Sequence, residues 1–168
     1  MPYYVGYDLA PLIEQYGLQE NVFWPEQDIF KHPWSVAEMV NLYNAADCYI
    51  STSQGEGFGL GCLEAMACGV PVLAPDNSTM PELTNNGDNG WLVKNVPNHI
   101  ASDDLFGIPS LQQYPLPDEY LFRSQILHVI KNQKERELKG YAARKFVFQN
   151  YSWERIMPLW EILLASQA

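Results

Sequence analysis

The sequence predicts an α/β fold, a Rossmann-like parallel sheet with flanking helices, and three observations predict it. Short apolar runs alternate with helical patterns, which is the signature of parallel strands joined by right-handed helical crossovers. The 168 residues suit one domain with room for its own core. Apolar residues make up 47% of the chain and aromatics 13%, a composition that excludes disorder.

The elements follow in order. Tyr3-Tyr4-Val5 reads as a strand. The next segment is helical, with Leu9, Leu12, Ile13 and Tyr16 on one face and a stop near Gly17. Asn21-Val22-Phe23-Trp24 reads as a second strand ended by Pro25. Ser35 and Glu38 form the spacing of a capping box, and the helix they open carries Val36, Met39, Val40 and Tyr43 inward. Asp47 to Ser51 is a third strand. A glycine-rich turn leads into a helix through Leu60, Leu63 and Ala67, ended by Gly69. Val70 to Ala74 and Gly90 to Val93 are the fourth and fifth strands.

Residues 95 to 117 contain Pro97, Pro109, Pro115 and Pro117 and read as an irregular excursion. Helices resume near Asp118. The last begins around Ser152 and carries Trp153, Ile156, Trp160, Leu163 and Leu164, an apolar face expected to dock. Pro158 inside it should kink it or mark its true start.

The net charge of −10 is unevenly spread. Before Arg123 the cations are Lys31 and Lys94, against sixteen carboxylates; from Arg123 onward eight cations meet four carboxylates. Nucleic-acid binding needs a basic face, and most of the chain has none. The C-terminal basic stretch mixes signs at helical spacing (Lys131, Lys134, Glu135, Arg136, Glu137, Lys139), which favours a solvated helix face over an anionic membrane contact. No apolar run has the length of a membrane span, and the N-terminus lacks a secretory pattern. Cys48, Cys62 and Cys68 read as small buried hydrophobes in a reducing compartment rather than metal ligands, so the expected location is cytoplasmic.

The chemistry concentrates between Ser51 and Gly69. A strand, then Gly55, Gly57, Gly59 and Gly61, then a helix place a flexible turn at the carboxyl edge of a parallel sheet, where ligands of open α/β sheets bind. The helix start offers unpaired N–H groups and a positive dipole end, a site for a diphosphate that needs no lysine. Glu56 lies in the turn, and Glu64 lies about one turn into the helix and points back toward the same mouth. Ionised carboxylates are acceptors suited to vicinal hydroxyls. One could take sugar hydroxyls and the other ribose hydroxyls, on either side of a diphosphate. On these residues alone an ordinary capped turn remains open. A dinucleotide site is the weaker rival, because the glycine spacing does not fit that fingerprint and the turn does not follow the first strand. Glu82 reads as a structural residue at a helix end, His128 as an ordinary helix histidine, and Trp24 as either a wall of a base pocket or core.

Glu56 and Glu64, with Gly57-Phe58-Gly59-Leu60 after the first and Ala65-Met66-Ala67-Cys68-Gly69-Val70-Pro71-Val72 after the second, resemble the signature of family 4 retaining glycosyltransferases. Leu42 to Asp47, Pro81-Glu82-Leu83, Asn86 to Val93 and Tyr151-Ser152-Trp153-Glu154 are similar to its flanking segments. The resemblance implies one half of a GT-B fold, the C-terminal donor-binding domain, spanning residues 1–168. It implies Glu56 as the catalytic-site carboxylate on the donor sugar, Gly57, Phe58, Gly59 and Leu60 as the backbone cradle for sugar and diphosphate, and Glu64 on the ribose. The substrate would be a nucleotide-diphosphate sugar, with no cofactor and no obligatory metal.

Two departures shape further expectations. The resemblance puts the acceptor-binding N-terminal domain outside these 168 residues. Tyr3-Tyr4-Val5 resembles the domain's second strand, so the first strand, with its arginine and lysine for the diphosphate, would be lacking. The chain alone is then expected to be inactive as a transferase, and the alternative reading is a non-catalytic remnant that binds a nucleotide sugar or a partner protein.

Overall fold

The computed structural model describes residues 9–23, 31–102 and 113–166, with side chains described outside 97–102 and 113–114. The backbone divides into two compact units, Met1–Ala37 and Glu38–Ala168. The predicted strand at Tyr3 to Val5 lies outside the described residues.

In the first unit, helix α1 (Ala10–Gln15) has a proline in its first turn, where a missing N–H costs nothing. It ends as the sequence predicts. Gly17 takes φ 64°, its N–H bonds to the Glu14 carbonyl, and the Leu18 N–H reaches back to Ile13. The strand expected from Asn21 is not formed over residues 21–23; Trp24 lies outside the described residues. The Asn21 and Val22 amides both bond to the Leu18 carbonyl and so close a turn, leaving no ladder.

Helix α2 (Val36–Asn44) opens where the sequence places it. Met39 and Tyr43, four residues apart, share its packed face, whereas Val36 and Val40 stay exposed, contrary to expectation. The stripe that packs is narrower than the apolar pattern, because the buried cluster it meets is small: Tyr43, Ala65 and Val70.

Strands β1 (Tyr49–Ile50), β2 (Val72–Pro75) and β3 (Gly90–Val93) form a parallel sheet in the order β1-β2-β3. The registers pair Tyr49 with Val72 and Leu73 with Trp91. Central β2 is buried along its whole length and alternates sides. Val72 and Ala74 face helices α3 (Leu60–Ala67), α4 (Met80–Leu83) and α6 (Gln133–Asn150), in a core with Cys62, Met66, Met80, Leu83, Ala143 and Val147. Leu73 faces the other side, with Trp91, Val93 and, from helix α5 (Glu119–Lys131), Phe122 and Val129. Each large side chain buried this way contributes about 1.5–3 kcal/mol. Among the described residues β1 pairs with β2 alone, and Ile50 is exposed.

The excursion at 95–117 is more regular than predicted. Strand β4 (Asn95–Ser102) pairs antiparallel with β5 (Gln113–Pro117), with a register irregularity between Asn95 and Ile100. Both strands of a two-stranded ribbon are edges, so residues that cannot donate are tolerated there and proline does not exclude strand. Asp118 then caps α5, its carboxylate accepting the Leu121 N–H at 2.9 Å.

Helix α7 (Trp153–Ala165) begins after Ser152 and runs through Pro158, which therefore does not mark its start. The expected docking of its apolar face is slight: it touches α6 and Ile156 is half-buried, but none of its described residues is buried, and Trp153, Trp160, Leu163 and Leu164 are exposed. Amphipathic spacing specifies which face would be apolar, and it cannot supply a surface to cover it.

Candidate functional site

The glycine-rich turn joins β1 to α3. Gly59, at the N-cap of α3, is left-handed at φ 87°, and no side chain caps the helix. A Cβ at Gly59 would come 2.7 Å from the Met80 methyl and 3.0 Å from Leu83. Glycine is therefore demanded twice, by conformation and by space. The first intrahelical bond at this end is from Leu63 N–H to the Gly59 carbonyl. The amides of Leu60, Gly61 and Cys62 precede it and form the positive end of the helix dipole.

The turn is fastened from the β2–α4 connection. Ser78 Oγ accepts the Glu56 N–H at 3.1 Å and donates to the Glu56 carbonyl at 2.6 Å. Thr79 Oγ1 donates to the Phe58 carbonyl at 3.0 Å. Ser53 Oγ donates to the Gly55 carbonyl. Gly57 and Phe58 are exposed, Gly59 is buried and Leu60 is exposed. The Phe58 ring meets Tyr151 edge-on at 5.8 Å, and the Tyr151 hydroxyl donates to Glu82 at 3.2 Å. Burial and that bond to Glu82 raise the Tyr151 phenol above its usual range. Glu82, on α4, thus anchors the phenol that the Phe58 ring meets.

The charges of both glutamates act on one hydroxyl. Tyr49 projects from β1, and a Cβ on Gly61 would stand 2.7 Å from its oxygen, so Gly61 is what lets the phenol lie against the first turn of α3. Burial raises the Tyr49 phenol above its usual range, and the charges of Cys62, Glu56 and Glu64 add to the shift. Glu64 is exposed on α3 and accepts a hydrogen bond from the Tyr43 hydroxyl at 2.9 Å. Cys62 lies below, buried against Met80, its thiol pushed up to about 11 by burial and then by the Glu56 charge.

Glu56, Gly57, Phe58, Gly59 and Leu60 therefore lead into the uncapped start of α3, and Glu64 lies one turn further on. The sequence offers no lysine or arginine from 32 to 93. The arrangement presents amide donors for an anion, with carboxylate acceptors for hydroxyls on either side. Among the described residues no three His, Cys, Asp or Glu converge as a metal site would, and no helix is long and apolar enough to cross a membrane. The three cysteines are free; Cys62 is buried, Cys48 and Cys68 half-buried.

Sequence reasoning missed Ser78, Thr79, Tyr43 and Tyr49 as parts of the site. A serine-threonine pair before a helix reads as a cap, yet Thr79 makes no cap bond and reaches across to Phe58. Tyr43 reads as an inward helix residue and Tyr49 only as part of a strand, and nothing in their spacing reveals where their hydroxyls point.

The chain is similar to several known proteins. The family described as glycosyl transferases group 1 matches residues 7–105. An N-acetyl-alpha-D-glucosaminyl L-malate synthase of Bacillus anthracis is 30% identical over 156 residues, covering 92% of this chain and 33% of that protein. A D-inositol 3-phosphate glycosyltransferase of Mycobacterium sp. (strain KMS) is 36% identical over 104 residues, 62% of this chain and 22% of that one. The solved structure of sucrose-phosphate synthase from Thermosynechococcus elongatus superposes with TM-score 0.67 at 22% identity, over 93% of this chain and 33% of the other. That of a glycosyltransferase from Rickettsia africae gives 0.61 at 23%, over 90% and 34%. The chain spans a third or less of the curated relatives' length.

Proposed function

Because this chain belongs to the glycosyl transferases group 1 family, we propose that it is the donor-binding half of a family 4 retaining glycosyltransferase and holds a nucleotide-diphosphate sugar at the start of α3. Glu56 takes hydroxyls of the donor sugar. The amides from Gly57 to Leu60 meet the sugar and diphosphate, and Glu64 takes the ribose. When the sugar's bond to the diphosphate breaks, the negative charge left on the diphosphate faces oriented amides that need no reorganisation. No obligatory metal enters this scheme. The observation that carries it is the pair of glutamates bracketing an uncapped, glycine-bounded helix start at the sheet's carboxyl edge.

The acceptor side belongs to a separate N-terminal domain in this reading, and the chain alone does not transfer sugar. The lack of cations from 32 to 93 favours binding over turnover in the isolated chain. Titrating UDP, GDP and ADP into wild type and Glu64→Ala by calorimetry tests the site. A hydrogen bond to a charged group contributes about 1.5–3 kcal/mol, so the substitution is expected to weaken the preferred nucleotide about ten- to a hundredfold. Unchanged affinity would remove the ribose assignment, and sugar transfer by the isolated chain would overturn the inactive-alone reading.

A further inference from the structure

We propose that Tyr43 is a positioning residue for Glu64, fixing the carboxylate so that one oxygen stays available to the hydroxyls of a nucleotide ribose. The inference rests on the donor-site reading above.

The two residues are 21 positions apart on different helices, and the bond between them is 2.9 Å. Tyr43 is only 7% exposed. Its ring packs with Ala65 and Val70, with Met39 beside them, and it tilts at 50° against the Tyr49 ring, 6.2 Å away. A ring fixed on several sides gives its hydroxyl one place to point. Glu64 is the opposite case, an exposed side chain whose free rotamers would otherwise scatter its carboxylate.

The hydroxyl has one proton and gives it to Oε2. That bond needs the phenol protonated, and burial, then the bond to Glu64 and its charge, shift the phenol upward and keep it so. An ionised carboxylate is an acceptor at both oxygens. With Oε2 engaged, the carboxylate is held in place and Oε1 is left to accept from a ligand. A rigid acceptor loses less entropy on binding than a mobile one, so preorganisation appears directly as affinity. The benefit is confined to ligands that donate to Glu64. A ribonucleotide gains from it, and a nucleotide lacking the relevant hydroxyl does not.

A tie between two helices without a positioning role would affect all ligands alike, and this separates the two. The full chain is titrated by calorimetry with UDP, GDP and ADP; the tightest of them is then compared with its 2′-deoxy and 3′-deoxy counterparts. The variants are Tyr43→Phe, Glu64→Gln, both together, and a chain carrying 4-aminophenylalanine at position 43, which keeps a donor. Wild type is expected to prefer the ribonucleotide. Tyr43→Phe should lower ribonucleotide affinity about three- to tenfold, the range of one hydrogen bond, and leave the deoxynucleotide nearly unchanged. The double variant should be no worse than Glu64→Gln, and 4-aminophenylalanine should restore the preference.

If Glu64→Gln abolishes the preference and Tyr43→Phe keeps it, the positioning role is overturned while the ribose assignment stands. If wild type shows no preference, or Glu64→Gln does not change it, the ribose assignment fails and the positioning role falls with it. Should Tyr43→Phe lower the thermal midpoint, the 4-aminophenylalanine chain decides, since a folded chain with the donor present must recover the ribonucleotide preference.

Discussion

Ser78 grips both ends of one peptide residue: its hydroxyl accepts the Glu56 N–H and donates to the Glu56 carbonyl, 22 positions away in sequence. The bonds come from the β2–α4 connection, where Ser78 itself is held at φ 51°. Glu56 therefore has a fixed backbone although it lies in a glycine-rich loop. Ser78→Ala removes both bonds and leaves the fold's core untouched. Each is exposed, so the stability cost should be small, about 0.5–1.5 kcal/mol, or some 2–4 °C in Tm. Loss of donor affinity should be larger than that of an exposed control such as Ser124→Ala. Calorimetry with the preferred nucleotide sugar and thermal unfolding measure the two. Equal affinity in both variants would mean that loop order does not matter to binding.

Gly59 and Gly87 both have left-handed backbones, at φ 87° and 98°. They differ in surroundings. Nothing lies within 4 Å of a Cβ at Gly87, while one at Gly59 meets Met80 at 2.7 Å and Leu83 at 3.0 Å. Alanine at either position carries the conformational cost, about 1–2 kcal/mol. Gly59→Ala must also displace core side chains, which adds about 1–3 kcal/mol. Denaturant midpoints should therefore fall in the order wild type, Gly87→Ala, Gly59→Ala. Equal midpoints for the two variants would show that Met80 and Leu83 yield freely.

The turn and α3 were legible because their requirements are local. Glycine at 59 and 69 and the apolar run at 70–74 each declare a conformation or a face without outside help, whereas the helix read through Leu60, Leu63 and Ala67 buries Cys62, Ala65 and Met66 and leaves Leu60 exposed. The same holds for Gly17 ending α1. Asn21 to Phe23 misled because β propensity needs a neighbouring strand to become a strand, and here the amides close a turn on Leu18. The prolines at 97, 115 and 117 read as breakers, yet in a ribbon with two edges they are tolerated. In the site, residue types announced the glutamates and glycines. The hydroxyls of Ser78, Thr79, Tyr43 and Tyr49 were hidden, since their partners lie in other segments and only the tertiary fold brings them together.

Gly140 reverses the usual rule for helix glycines. It lies inside α6, where alanine normally stabilises by about 0.5–1 kcal/mol. Here a Cβ would press on the Gly69 carbonyl and stand 3.3 Å from Pro71. Gly69 is the left-handed end of α3, with the Val70 N–H returning to Ala65, so this backbone has little freedom to retreat. Gly140→Ala is expected to destabilise by about 1–3 kcal/mol, the cost of overpacking. A rise in Tm on this substitution would show that α6 can move off α3 cheaply.

Glu135 ties the α5–α6 corner to the sheet, and its titration gives a pH dependence of known sign. It accepts from the Trp91 indole at 2.9 Å and from His128 Nε2 at 2.7 Å, while Lys139 lies 5.4 Å from the Trp91 ring centre. Partial burial pushes its carboxyl up, but the bonds from His128 and Trp91 and the Lys139 charge outweigh this and hold it below the usual carboxylate range. A group whose folded pKa is depressed stabilises the fold above its unfolded value, near about 4.3. That contribution is lost as pH falls through the folded value. The side chain is 37% exposed, so solvent and salt screen it and the effect should stay below about 1 kcal/mol. Thermal unfolding of wild type and Glu135→Gln from pH 7 to pH 3 should show wild type ahead at neutral pH and the gap closing under acid. Added salt should narrow the gap at neutral pH, because the Lys139 contribution is charge attraction. Equal midpoints for the two at every pH would mean that Glu135 acts only as a hydrogen-bond acceptor for Trp91, a part that glutamine also fills.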